Sequence, residues 1–126
     1  MNGIDLLVDS NIAVYFLFGY KNVQKYFLIS RPALSFISEL EVLSSANFTG
    51  NDFENAQNLL SKHEIIGYLP ELRDIIVYIR SQKRLKLPDA IIAATAIYLN
   101  VPLVSADKGF KNIYGLDLIL HDPASN

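Results

Sequence analysis

The stretch that decides the fold is Leu6-Leu7-Val8-Asp9-Ser10-Asn11, which is followed by the apolar run 12–18. Three consecutive apolar residues with no polar alternation predict a short strand that is buried on both faces. The polar residues 9–11 then predict a tight turn into a helix, which ends near Gly19. A strand that leads directly into a helix in this way favours an α/β fold.

The rest of the chain repeats this alternation. Further strands are predicted at residues 33–37, 65–69, 101–105 and 116–120, with helices at about 22–28, 38–46, 52–60, 70–84 and 89–99. Strands that alternate with helices indicate a parallel sheet covered on both faces, so we expect a three-layer α/β/α fold. A length of 126 residues suits one domain over residues 1–126, with a frayed tail at 122–126.

Composition narrows the class of protein. Hydrophobic residues make up 51% of the chain, which predicts a substantial core, and there is no cysteine for disulfides or thiolate metal sites. We see no signal peptide and no run of eighteen uncharged apolar residues, so we expect neither secretion nor a membrane span. These features together predict a cytoplasmic protein.

The formal net charge is −2, whereas a protein that binds nucleic acid by charge alone is usually basic. Two bound divalent ions would add four positive charges and bring the total to +2. A polyanionic substrate therefore stays compatible with this sequence if the protein binds metal ions.

Four acidic residues stand where such ions would bind. Asp9 and Asp107 each follow a predicted strand, while Glu41 and Asp89 lie in the first turns of predicted helices. Ligands of parallel sheets bind outside the carboxyl ends of the strands, so we expect all four acids at that edge. Crowded carboxylates repel one another unless a cation neutralises them, and carboxylates without cysteine or histidine nearby favour Mg²⁺ or Mn²⁺.

Each acid also has a plain structural explanation. Asp9 could cap the first helix, and Asp107 could simply form a turn. Glu41 stands three residues after Ser38, which matches an S-x-x-E capping box. Asp89 could be favoured only by the dipole of its helix. What these explanations leave out is the convergence of four acids on one edge of the sheet.

Four blocks of the sequence, in order, resemble the PIN-domain family, and within it the VapC-type toxins of prokaryotic toxin–antitoxin pairs. The similarity extends from Leu6 to about Leu120. The blocks are residues 7–11 (LVDSN), 35–38 (SFIS) with Glu41, 87–96 (LPDAIIAATA) and 103–110 (LVSADKGF).

The resemblance implies an endoribonuclease that uses Mg²⁺ or Mn²⁺ to activate a water molecule and leaves 5′-phosphate and 3′-hydroxyl ends. It also implies a homodimer and a VapB-like antitoxin partner. Ser10 stands where threonine is commoner and keeps the hydroxyl. The implied metal ligands are Asp9, Glu41, Asp89 and Asp107, with Asn11 and Ser105 as supporting residues behind them.

Some assignments stay open. Glu39 competes with Glu41 for the second acid, although the helical register and the family pattern both favour Glu41. Basic residues near Asp89 and Asp107 could guide RNA, or they could merely be a solvated helix end. The candidates for RNA contact are Arg84, Lys86 and Lys108.

Two other functions remain possible. The chain could be a PIN-domain ribonuclease of RNA processing or decay that has no antitoxin. It could also be a catalytically silent PIN-like module that binds RNA or protein. Retention of all four acids argues against the silent module, because a scaffold has no reason to keep them together.

Overall fold

The computed structural model describes residues 3–123, and within them five short strands form one sheet. All predicted strands are present: β1 has the predicted bounds, and the other four are shorter than predicted. The strands are β1 (Leu6–Val8), β2 (Pro32–Ser35), β3 (Glu64–Ile66), β4 (Leu103–Ser105) and β5 (Leu118–Leu120).

The helices confirm the predicted alternation. Two short 3₁₀ turns, Lys21–Val23 and Lys108–Phe110, accompany them. The longest helix, 87–99, has Pro88 in its first turn and is followed by Asn100, which adopts the left-handed conformation that terminates helices. The helices are α1 (Ser10–Leu17), α2 (Gln24–Leu28), α3 (Phe36–Leu43), α4 (Asp52–Ser61), α5 (Leu72–Gln82) and α6 (Leu87–Leu99).

The sheet is parallel throughout, in the order β3-β2-β1-β4-β5. The chain builds the sheet outward from β1 through β2 to β3, and then crosses to the other side of β1 to add β4 and β5. The order therefore reverses between β1 and β4, where Leu7 pairs with Leu103. In open parallel sheets, ligands bind at the carboxyl ends of the strands that flank such a reversal.

Alternate strand residues contribute to two cores, one on each face of the sheet. Val8, Leu34 and Val104 pack with residues of α1 to α4, including fully buried Ile12 and Val42. On the other face, strand residues pack with α5 and α6, in a cluster that includes Leu7, Leu103, Leu72, Ile76 and Ala93. Helices therefore cover both faces, and the predicted three-layer architecture is confirmed.

The boundary between β2 and α3 corrects the sequence interpretation. The predicted strand 33–37 is wrong at its end, because the helix already begins at Phe36. Ser35 caps that helix, since its Oγ accepts a hydrogen bond from the backbone N of Ile37 at 3.1 Å. Ser38 is buried inside the helix, so the capping box beginning at Ser38 is also wrong. The hydroxyl nearest the strand end takes the capping position.

Two further expectations concern the chain ends and membranes. The predicted frayed tail includes residues 124–126, which lie outside the described part of the chain. Among residues 3–123, no helix has both the length and the apolar character needed to cross a bilayer.

Candidate metal centre

Asp9 lies at the carboxyl end of β1 and is the N-cap residue of α1, with a side chain that is only 5% exposed. Its Oδ1 accepts a hydrogen bond from the backbone N of Ser10 at 2.8 Å. Its Oδ2 accepts from Ser105 Oγ at 2.7 Å and from Asn11 Nδ2 at 3.3 Å. The carboxylate therefore caps the helix, as one interpretation of the sequence expected, and it is also held from β4.

Burial raises the pKa of Asp9 from its ordinary value of 3.8 to about 6. The hydrogen bonds from Ser105 and Ser10 act in the opposite direction, because they stabilise the charged form. The negative charges of Glu41 and Asp89 raise this pKa further. Asp9 is therefore repelled by two of the other acids, which belong to two different helices.

Glu41, and not Glu39, is the acid of α3 that lies beside Asp9. An oxygen of Glu41 accepts a hydrogen bond from Ser10 Oγ at 3.0 Å. Glu39 instead lines a cleft between α3 and α4 with Leu43 and Gln57. The structure thus separates the two candidates that the sequence left in competition.

Asp89 lies in the first turn of α6, directly after Pro88. Burial raises its pKa, and the charges of Asp107 and Glu41 add to that effect, while Lys86 opposes it. Asp107 follows β4, and its Oδ1 accepts a hydrogen bond from the backbone N of Gly109 at 2.8 Å. Asp107 therefore also has the turn-forming role that one interpretation gave it, and its charge still acts on Asp89.

Asn11, in the first turn of α1, and Ser105, the last residue of β4, link the carboxyl ends of β1 and β4. The fully buried hydroxyl of Ser105 donates to Asp9 and accepts from the backbone N of Asp107 at 2.9 Å. Asn11 Oδ1 accepts from the backbone N of Ala106 at 3.2 Å. These bonds bridge the sheet at the point where the strand order reverses.

The four acids thus lie at one edge of the sheet, near enough for their negative charges to interact. Even so, among residues 3–123 no three carboxylate or histidine groups are gathered closely enough to hold a metal ion between them. Mg²⁺ commonly binds through one or two carboxylates and keeps several of its water ligands. The oxygen-only donors and the raised pKa values fit such a water-rich site, but they do not fit a closed cage of protein ligands.

A comparison with known families decides the classification: the model of the PIN domain matches residues 6–116. The chain belongs to the PIN-domain family. The match contains all four acids together with Asn11 and Ser105.

Solved structures also resemble this PIN domain, although no curated protein sequence matches the chain. A toxin–antitoxin complex from Klebsiella pneumoniae contains a chain that is 28% identical, with a TM-score of 0.78, covering 91% of this chain and 96% of that one.

Two more distant structures share the fold. VapBC2 from Rickettsia felis, bound to a DNA fragment from its promoter, is 23% identical with a TM-score of 0.76; the match covers 93% of this chain and 98% of that one. DNA-bound VapBC from Salmonella typhimurium is 16% identical with a TM-score of 0.79, over 92% and 97% of the two chains.

The basic residues flank the acidic edge of the PIN domain unevenly. Lys86 lies close enough to Asp89 to oppose the rise in its pKa. Lys108 is exposed and lines a cleft with His121, just beyond Asp107, and Arg84 is exposed in the loop between α5 and α6. All three candidates for RNA contact therefore remain accessible to a substrate.

Ser10 is the site residue whose role the sequence did not indicate. Its hydroxyl bonds to Glu41, thirty-one residues further along the chain. A hydroxyl directly after the first acid was visible in the sequence, but its partner depends on how α3 packs against α1.

Proposed function

We propose that this PIN domain is a Mg²⁺- or Mn²⁺-dependent endoribonuclease that acts as the toxin of a VapBC-type toxin–antitoxin pair. The observation that carries the proposal is the convergence of four carboxylates at the reversal of strand order. Their mutual repulsion is unfavourable in a metal-free scaffold and is relieved by a cation.

In this proposal, Asp9, Asp89 and Glu41 hold the principal ion, and Asp107 helps to hold it or a second one. A bound divalent ion would supply a nucleophilic water near neutral pH by lowering the pKa of that water. Ser105 and Asn11 fix the orientation of Asp9 through the bonds to its Oδ2. Arg84, Lys86 and Lys108 would contact the RNA backbone.

Cleavage of RNA tests the catalytic part of the proposal. The purified protein should cleave a labelled single-stranded RNA with Mn²⁺ or Mg²⁺ and leave 5′-phosphate and 3′-hydroxyl ends. Asp9→Asn and Asp89→Asn should each reduce the rate at least 100-fold, on the scale of losing a catalytic group. Asp74→Asn, which alters an exposed acid of α5, is the matched control and should cleave like the wild type. Cleavage that survives EDTA or either site substitution would contradict the mechanism.

A groove beside α1, α2 and α4 supports the antitoxin part. This cavity of about 490 Å³ is lined by Phe16, Leu17, Phe27, Leu28, Asn55, Asn58, Leu59, Lys62 and His63. At its margin, Leu28 is 71% exposed, and its neighbour Ile29 is 83% exposed. Adjacent exposed apolar side chains of this kind often mark a protein-binding surface. We assign this groove to an apolar segment of the antitoxin.

A binding experiment tests that assignment. The product of a short reading frame next to this gene should bind the purified protein and suppress RNA cleavage. Leu28→Glu should weaken binding at least 10-fold, because it puts a charge in an apolar contact. Val77→Glu changes an exposed apolar residue of α5 and serves as the control. Cleavage without any adjacent antitoxin frame would instead favour an enzyme of RNA processing or decay. RNA binding without cleavage would favour the silent module.

The homodimer is also part of the proposal. Sedimentation equilibrium of the purified protein should give twice the mass of the chain. A monomer at micromolar concentration would contradict the proposed homodimer but not the proposed catalytic activity.

A further inference from the structure

We infer that Ser10 is a positioning residue that couples the two acids Asp9 and Glu41 into one ion-binding unit. The inference rests on the proposed metal dependence of the PIN domain and adds a residue to its machinery. Ser10 is the first residue of α1 and contacts both acids at once.

The two contacts of Ser10 use different groups. Its backbone N donates to Asp9 Oδ1 at 2.8 Å, and its Oγ donates to Glu41 Oε1 at 3.0 Å. One oxygen of each acid is therefore fixed relative to the same residue. Because Ser10 begins a helix that packs against α3, its own position is set by the fold.

Glu41 needs such a contact more than Asp9 does. Asp9 is buried and receives hydrogen bonds at both oxygens, whereas Glu41 is exposed on α3. Rotamer entropy favours a free glutamate side chain, and repulsion from Asp9 and Asp89 favours its movement away from them. The Ser10 hydroxyl opposes both effects and keeps Glu41 directed toward the other acids.

The inferred role predicts a loss in metal affinity and not only in rate. Removing the hydroxyl lets Glu41 turn into solvent, so the ion must order this side chain when it binds. Loss of a hydrogen bond behind a metal ligand typically weakens metal binding 10–100-fold. We therefore expect Ser10→Ala to raise the Kd for Mn²⁺ about 10-fold, and Ser10→Thr, which keeps the hydroxyl, to restore it.

A double-mutant cycle separates coupling through Glu41 from general damage to the helix. Mn²⁺ binding is measured by calorimetry for wild type, Ser10→Ala, Glu41→Ala and the double variant, with circular dichroism as a check of folding. If Ser10 acts through Glu41, Ser10→Ala should have little effect once Glu41 is alanine. Ser81→Ala removes an exposed helix hydroxyl of α5, which bonds to Tyr78 O at 2.6 Å, and is the control.

The outcomes distinguish this inference from the proposed function. Equal Mn²⁺ affinity in wild type and Ser10→Ala, or an equal loss in the presence and absence of Glu41, overturns the inference even if RNA is cleaved. Weaker Mn²⁺ binding by Ser10→Ala in a protein that never cleaves RNA supports the inference and removes the proposed activity. A wild-type protein that binds no Mn²⁺ overturns both.

Discussion

Asp9 makes the metal-free protein sensitive to pH. Its pKa is about 6 in the fold, mainly because of burial, and 3.8 is its ordinary value. The folded state therefore binds more protons than the unfolded chain between these values, and stability falls as pH rises through this window. This pKa shift corresponds to a contribution of on the order of 3 kcal/mol to the free energy of unfolding. The contribution is present below about pH 4 and lost above about pH 6.

Comparison with Asp9→Asn isolates this effect. Urea unfolding in EDTA between pH 4 and pH 8 should show the wild type losing stability relative to the variant by up to about 3 kcal/mol. The measured quantity is how the stability difference between the two proteins changes with pH. Its value at a single pH is not informative, because asparagine also alters the hydrogen bonds with Ser105 and Asn11. Parallel pH profiles for the two proteins would contradict the raised pKa of Asp9.

Metal binding should offset the loss of stability that comes from ionised carboxylates at this edge of the sheet. At pH 7.5, millimolar Mn²⁺ should raise the Tm of the wild type by several degrees, because the ion binds the folded state and relieves carboxylate repulsion. Asp89→Asn removes one of the acids that the ion would bind and should show a smaller rise. An unchanged Tm for the wild type would argue against a shared ion site.

At the level of single residues, the sequence predicted the positions of the acids better than it predicted their contacts. Asp9 and Asp107 could be placed at the sheet edge because each directly follows a strand. Glu41 could be separated from Glu39 only by the packing of α3 on α1, which brings Glu41 to Ser10. Helical register favoured Glu41 as the second acid, and the contact with Ser10 supports that prediction.

Among the elements, α6 connects the core to the site. Its buried face consists largely of alanine, with Ala90, Ala93 and Ala94 fully covered, and Asp89 is in its first turn. Small residues let the helix lie close to the sheet. The position of Asp89 therefore depends on packing one turn or more further along the helix.

Ala93→Leu tests that dependence. Forcing a larger side chain into this packed face should lower the free energy of unfolding by about 1–3 kcal/mol. It should also weaken Mn²⁺ binding, because α6 and Asp89 must shift. Tyr98→Leu changes an exposed position of the same helix and should alter stability by less than about 0.5 kcal/mol. Urea unfolding and calorimetry measure the two effects, and a fully stable Ala93→Leu protein would contradict the tight packing.

The elements themselves were largely predictable, because strands that alternate with helices leave a clear apolar pattern. The boundary after β2 was not predictable, since Ser35-Phe36-Ile37 is compatible with either a strand end or the first turn of a helix. Only the hydrogen bond from the backbone N of Ile37 to Ser35 Oγ identifies where the helix begins.

At the scale of the whole molecule, a net charge of −2 limits how strongly the protein can attract RNA without ions. Binding of single-stranded RNA in EDTA should therefore depend on a few local cations. Replacing Arg84, Lys86 and Lys108 together by alanine should reduce the slope of log K against log salt by about 2, at about 0.7 for each lost phosphate contact. Fluorescence anisotropy at several salt concentrations measures this slope.

The matched control removes cations from the other edge of the sheet. Arg31 and Lys62 lie just before β2 and β3, at the amino ends of the strands. Replacing both by alanine should leave the slope within experimental error if RNA follows the acidic edge. A larger effect from this pair than from the first set would locate RNA on the opposite side.

The pairing of β1 with β4 has a consequence for how the protein is made. Asp9 obtains its bond from Ser105, ninety-six residues later, and the central strand obtains its second neighbour only from β4. A nascent chain that has emerged only as far as α6 therefore lacks half of the sheet around β1 and lacks Asp107. The hydrogen bond from Ser105 to Asp9 can therefore form only after β4 has been synthesised. Under the proposed function, a shorter nascent polypeptide would have no complete site with which to cleave the messenger that encodes it.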